Sequence, residues 1–484
     1  MHHRSLPLIA MAALLAGCSM APAYHVPTSV TPTASFRVDP GWAAAAPADA
    51  VAKGEWWRLF GDDTLNTLEA RVLVTNQNLA YYRAAYAQAL ATVRVDRAAL
   101  LPTIGASASV TRQGTVSGRT MPQNLGTTGA STATSVALDG TASWTPDLWG
   151  SLSNTARGAR ATAEASAAQL ANATLSAQGT LATTYFTLRG IDAQAAALDE
   201  DIVALDRALA VTRNKFTAGT ATAADVASAE ITLANARANR RDLERQRVAN
   251  ETAIAVLVGE NPGTFALKPA EWHPVVPDVP QVVPSQVLER RPDVAGAERQ
   301  VAAANAQIGV QRAAFFPTVS LSAQLGSNAS SLSSLFGAAT SLWSLGASAA
   351  ETLIDWGARS ARVAGARAAY DQAVATYRQT VLGAFQEVES DLAAVAAYRA
   401  EADHYHLLRQ SADNAAQVTR NQYQAGTVDY TSVSAAASTV YAAHADEIGN
   451  VVNRQAATVA LIQAIGGQWS GPVDLHPSPL PPHP

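Results

Sequence analysis

The stretch RAALLPTI at residues 97–104 returns as RAAFFPTV at 312–319, and DLWG at 147–150 returns as IDWG at 354–357. A chain that repeats itself at this spacing is built from two copies of one unit, and a fold that suits one half must suit the other. The two pairs lie 215 and 207 residues apart, so the difference in length falls between Pro102 and Trp149 of the first copy. We read residues 56–273 as the first structural repeat, 274–290 as a Pro-rich linker, 291–470 as the second repeat and 471–484 as a tail.

Within each copy the order of patterns is the same. A helical pattern (65–100; 293–315) is stopped by a proline, which pushes the residue before it out of the helical region. In the second copy Pro292 and Asp293 mark the start, one with its fixed φ and the other near the positive end of the dipole. Alternation then predicts strands: Ile104, Ala106, Ala108 and Val110 in one copy, Val319, Leu321, Ala323 and Leu325 in the other. A second, weaker strand follows in each, near 135–145 and 342–352.

After the Trp-Gly pair comes an Ala-rich helical pattern of about 60 residues, roughly 90 Å at 1.5 Å per residue. Leu181, Leu188, Ala195, Ile202 and Leu209 stand seven apart, with Ile191, Leu198 and Leu205 as a second row. Val374, Val381, Val388 and Val395, with Phe385 and Leu392, repeat the seam, which is coiled-coil-like. Both long patterns stop at similar sequences, KFTAGTATAADV (215–226) and QYQAGTVDYTSV (422–433), and a helical pattern then returns (221–260; 427–466). Gly219 and Gly426 supply the positive φ that a helix reversal needs. Each motif is therefore the tip of a long αα-hairpin, and the fold is mainly α with a small β part.

The first 17 residues carry Arg4 and an apolar run of about 11 residues, the size of a signal h-region and too short to span a bilayer. Their ending, Leu15-Ala16-Gly17-Cys18, resembles a bacterial lipobox, which implies cleavage before Cys18 and a covalent lipid on its thiol. Ser19, in place of an aspartate, implies by the same resemblance the outer membrane. Cys18 is the only cysteine, so an intrachain disulfide is excluded. Residues 18–55, rich in Pro, Ala, Thr and Ser, read as a tether. No other stretch is apolar enough for a membrane-crossing helix, so a mature chain that spans a membrane does so with strands. Four strands are too few to close a barrel, which needs about eight. Two, three or four chains sharing one barrel would give eight, twelve or sixteen strands, and the residues alone leave these open. With 15% charged residues and a net charge of −5, a nucleic-acid partner is not expected.

The lipobox, WWRLFGDDTLNTL (56–68), the paired helix-to-strand junctions, LERRPDV (288–294) and the two tips together resemble the outer-membrane efflux proteins of tripartite pumps. This is the TolC/OprM-like family, and the chain is most similar to its NodT-type lipoprotein branch. The resemblance implies a homotrimer with a shared 12-stranded β-barrel and a 12-helix α-barrel through the periplasm. It also implies passive conduction to the exterior, with a periplasmic adaptor protein, an inner-membrane pump and outer-membrane lipid as partners. Docking or gate residues then fall on Phe216, Gly219, Thr220 and Asp225 in the first tip and on Tyr423, Gly426, Thr427 and Asp429 in the second. Where the TolC-like pattern has aspartates six and nine residues after the second glycine, this chain has Ser432 and Ala435, and Val428 replaces an arginine. A different polar lock is expected. Two rivals are an outer-membrane conduit of type I protein secretion and a lipid-anchored periplasmic coiled-coil scaffold.

Other constellations read as surface chemistry. His404 and His406 are two apart on a helix and point to different sides, which disfavours a shared metal. Arg237, Arg240, Arg241, Arg245 and Arg247 are interleaved with Asp242 and Glu244, as on a solvated helix face. No phosphate loop, HExxH or nucleophile elbow is present. Enzyme activity, a metal and a cofactor other than the lipid are not expected.

Overall fold

The computed structural model describes residues 19–27, 35–36, 39–40, 55–114, 132–277 and 291–467. Residues 1–17, expected to be a signal peptide, Cys18, most of the segment expected to be a tether, residues 278–290 with the first part of LERRPDV, and the tail lie outside the described residues.

The first repeat opens at a short 3-10 turn, Trp56–Phe60, whose Trp56, Trp57 and Phe60 are buried. Asp62 then caps α1 (Asp63–Thr75), accepting from the Leu65 amide at 2.9 Å as N-cap carboxylates do. The periodicity predicts one helix from 65 to 100, and the structure divides it. Asn76 turns extended, with ψ 121°. Its side chain accepts from the Leu79 amide at 3.0 Å, starting α2 (Gln77–Ala98), and donates to the Leu257 carbonyl at 2.7 Å. That carbonyl is one of those left without a partner at a helix C-terminus, so the break in one helix satisfies the end of another.

Next come β1 (Thr103–Gly114), β2 (Thr132–Trp144), and the first hairpin, α3 (Ser151–Thr217) and α4 (Ala223–Leu257). The second half repeats the order: α5 (Pro292–Ala313), β3 (Thr318–Ala329), β4 (Ser341–Ala350), α6 (Ala358–Gln424) and α7 (Tyr430–Ala464). The long helices have 67 residues in both halves and the returning ones 35. A helix of that length measures about 100 Å. The returning helices begin slightly later than the periodicity suggests because Thr222 and Asp429 stand outside them as N-caps.

The four long strands form one antiparallel sheet in the order β1-β2-β3-β4. In the first half Thr103 lies opposite Ser143, and in the second Thr318 lies opposite Ala350. Shifting the first pair by the two repeat spacings gives the second, so the strand hairpins share one register. β2 and β3 join the halves, with Val136 opposite Ala329 and Trp144 opposite Leu321. β1 and β4 are the edges, and both are exposed along their whole length.

Two compact units divide the chain. One comprises residues 1–27, 87–165 and 298–376 and contains the sheet. In it, residues 19–27 lie against α3 and α5: Ser19 donates to Asn154 at 3.0 Å, Asn305 donates to the Pro22 carbonyl at 3.0 Å, and the Tyr24 hydroxyl donates to the Glu298 carboxylate. The other unit comprises residues 28–86, 166–297 and 377–484. Its core joins Trp56, Phe60, Leu65, Leu68 and Val72 to Leu181, Tyr185, Phe186 and Leu188 of α3, to Ile254 of α4, and to Val459 and Ile462 of α7. Farther along the seam Ile191, Leu198 and Leu209 are buried, as their spacing predicts. Glu69 lies on the buried face of α1 with neither carboxylate oxygen hydrogen-bonded.

Candidate functional site: the ends of the two helical hairpins

Both hairpins reverse by the same backbone device. Gly219 and Gly426 have φ 75° and 77°. In the first tip the Gly219 amide donates to the Phe216 carbonyl at 2.9 Å and the Thr220 amide to the Lys215 carbonyl at 2.8 Å. In the second, Gly426 donates to Tyr423 at 3.1 Å and Thr427 to Gln422 at 3.0 Å. This is the Schellman arrangement, which gives the last helical carbonyls their partners. The Thr220 and Thr427 hydroxyls reinforce it, donating to the Lys215 and Gln422 carbonyls at 3.1 and 3.0 Å.

The acidic residues singled out in the sequence start the returning helices. Thr222 and Asp225 form a capping box at the head of α4, each side chain bonding the other's backbone amide. These bonds hold the Asp225 carboxyl below its ordinary range. Asp429 caps α7, accepting from the Ser432 amide at 3.1 Å, and hydrogen bonds from Thr431 and Ser432 likewise hold its carboxyl low. Asp225 has a further role, because its other oxygen accepts from the Tyr430 amide at 3.3 Å. That bond reaches from the first hairpin to the second.

Around it the two ends are locked together. Lys215 donates to the Tyr423 carbonyl at 2.7 Å, and its ammonium sits 4.2 Å from the Tyr423 ring centroid. A cation on the last carbonyls of α6 meets the negative end of that helix's dipole, and the ring face adds a cation–π attraction. The Tyr423 hydroxyl donates to Thr212 at 3.0 Å, and the Thr232 and Ser434 hydroxyls share a bond of 2.6 Å. Tyr423 stands edge-on to Tyr430 at 5.4 Å within a small core that includes Leu209, Leu233 and Val433. Behind the lock, α3, α4, α6 and α7 line a cavity of about 380 Å³, with Asp201 and Arg420 among Leu205, Asn235 and Tyr441. Burial raises the Asp201 carboxyl.

Asp225 and Tyr423 thus take part in one lock through different partners, Tyr430 for the first and Lys215 and Thr212 for the second. Phe216 is half exposed at the end of α3. Lys215, Thr212, Thr222 and Tyr430 belong to the lock and were not singled out in the sequence. Lys215 stood in the quoted motif, and a lysine in a helix's last turn was the available signal. His406 pairs with Glu447 at 2.9 Å, and Arg240 with Glu244 at 3.2 Å, both as surface pairs. Among the described residues no cluster of His, Cys, Asp and Glu could hold a metal ion. Cys18 lies outside the described residues.

A family model described as outer membrane efflux protein matches residues 69–260 and 283–467. The toluene efflux pump outer membrane protein TtgC of Pseudomonas putida is 29% identical over 96% of this chain and 95% of its own length. The pyoverdine export outer membrane protein OpmQ of Pseudomonas aeruginosa is 28% identical over 97% of this chain and 98% of its own. Among solved structures, the MtrE outer membrane channel of Neisseria gonorrhoeae is 26% identical, with a TM-score of 0.78 over 93% of this chain and 98% of that one.

Proposed function

The chain belongs to the outer membrane efflux protein family, and from that premise we propose that it is the outer-membrane channel of a tripartite efflux system. It conducts drugs or other small molecules passively from an inner-membrane pump and a periplasmic adaptor to the exterior. The family is one of efflux channels and not an enzyme class.

The observation that carries this reading is the sheet. Its four strands end in two unpaired, fully exposed edges, and lipid offers no hydrogen bonds to such edges. Four strands also fall short of the roughly eight that close a barrel. Three copies joined edge to edge give a closed barrel of twelve strands, and the six hairpins they bring supply a tunnel of twelve helices. The two-repeat organisation, with the linker at 274–290, makes the six seats of that ring nearly equivalent. Cys18 carries lipid and anchors each chain. The hairpin ends, with Phe216 exposed and the Lys215–Tyr423 lock beside it, form the surface that receives the adaptor. Relatives of similar identity are named for toluene efflux and for pyoverdine export, which supports leaving cargo choice to the pump.

The test is planar-bilayer recording on the purified lipidated protein, where stepwise openings of a water-filled pore are expected. A protein that forms heat-stable oligomers yet never conducts would sink the channel reading. Labelled palmitate on the wild type, and none on Cys18→Ser, checks the anchor.

A further inference from the structure

Trp149 and Trp356 hold the same place in the two copies of the repeat, and their surroundings are opposite. Trp149 lies nearly flat on Phe316, with ring centroids 4.7 Å apart and planes 20° from parallel. Its indole N–H donates to the Pro317 carbonyl at 2.8 Å. Phe316 and Pro317 belong to RAAFFPTV, where α5 passes into β3. Trp356 is 96% exposed. In the matching junction of the first copy the Trp144 indole donates to the Leu100 carbonyl at 3.0 Å, while the two residues that correspond to Phe316 and Pro317 are open, with Leu101 66% exposed and Pro102 exposed. One indole and one socket are used inside the chain, and one of each is left over.

The leftover indole is held out by a built turn. Trp356 has φ 54° and is the one residue other than glycine with positive φ among the described residues, a conformation that costs a bulky L residue. The Asp355 carboxylate fixes it by accepting from the backbone amides of Gly357 at 3.1 Å and Arg359 at 2.9 Å, and from Arg359 Nε at 2.8 Å. Arg359 is itself pinned by Glu351 at 2.6 Å. Strain kept by such a network marks a place where the surroundings have a use for it, and an exposed Trp with a free N–H is suited to an interface.

The sheet identifies the occupant. β2 against β3 is the seam between the copies, with Val136 opposite Ala329 and Ser143 opposite Ser322. Shifted by the repeat spacings, the same seam lays β4 against β1 with Trp343 opposite Gly114 and Ala350 opposite Ser107. Within one chain both of these strands are free edges, so the partner in that register is a second copy.

We propose that Trp356 of one chain seats on Leu101 and Pro102 of the next, donating its indole N–H to the Pro102 carbonyl, with β4 laid on β1 in the register above. The contact inside the chain is the template for the contact between chains. This rests on the reading that several chains share one barrel, and adds the residues and the register. Such a contact is head-to-tail, so it leaves an indole and a socket unfilled on any open string and fills all of them only in a closed ring.

Disulfide trapping tests it, because Cys18 is the chain's only cysteine. Oxidised Leu101→Cys/Trp356→Cys protein is expected to run on non-reducing gels as a ladder that stops at the closed ring, with each single variant monomeric after boiling. Gln113→Cys/Ser344→Cys, which are opposite in the transferred register, is expected to behave alike. Trp356→Ala should lower the temperature at which the unboiled oligomer dissociates, and Trp356→Phe should lose less. If the strand pair cross-links but the Trp356 pair does not, or if Trp356→Ala leaves the dissociation temperature unchanged, the socket is wrong and the shared barrel stands. If neither pair cross-links, the shared barrel falls with it.

Discussion

Lys215 is a single side chain that ties the last turn of α6 to the first hairpin, through the Tyr423 carbonyl and ring. Dipole and cation–π contributions at a half-exposed site together come to about 1–2 kcal/mol. Lys215→Met keeps the length of the side chain and removes both. It is expected to speed amide hydrogen exchange over residues 423–430 about tenfold, the equivalent of roughly 1.4 kcal/mol of local opening; unchanged exchange would show that the remaining bonds hold the end without it. Glu69 is a residue of another kind, since burial alone pushes its carboxyl up to about 9 from an ordinary 4.5. The folded chain keeps the proton over that window while the unfolded chain gives it up. Folding is therefore unpenalised below the lower value, and stability falls by about 1.4 kcal/mol for each pH unit on the way to the upper one. Glu69→Leu, beside Leu65, Leu68 and Val72, is expected to flatten the loss of thermal stability between pH 5 and 9 in detergent. An equally steep loss in the variant would assign that slope to other groups.

At the scale of elements, the two glycine turns do the same work with little help from packing. A Cβ on Gly219 or Gly426 would meet nothing within 4 Å, so the cost of a side chain there comes from φ 75° and 77°. That cost is about 1–2 kcal/mol for most residues and less for asparagine. Gly426→Val is thus expected to lower drug tolerance in a complemented deletion strain while unboiled oligomers still form, and Gly426→Asn to restore tolerance; loss of oligomers would place the defect elsewhere. These turns were legible in the sequence because glycine before threonine interrupts a strong helical period, and the heptads of Leu181, Leu188 and Val388 carried the helices between them. The break at Asn76 was not legible. Leu65, Leu68, Val72 and Leu79 continue one helical stripe across it, and the reason for the break is a carbonyl at Leu257 that is close only in three dimensions. The lock at the tips was half legible for a similar reason. Asp225 and Tyr423 stood out as residue types, but their partners Tyr430, Thr212 and Lys215 sit on other helices, where sequence spacing says nothing of distance.

For the molecule as a whole, the order of patterns read from the sequence recurs in the two halves of the described chain, and the common register of the strand hairpins is a finding of the structure. The repeat could not foretell that equivalent residues meet different fates. Trp149 is used within the chain and Trp356 is not, because a chain of two copies has one internal seam and two free ends. The same inequality appears at the other extreme of the helices, where the first tip has Lys215 and the second has Gln422 in its place. In a ring of three chains the six hairpin ends would look alike in outline, yet a fixed cation would occur at every second one. The two ends of each chain therefore differ in chemistry, a lysine ammonium standing in the first where the second has a neutral glutamine amide.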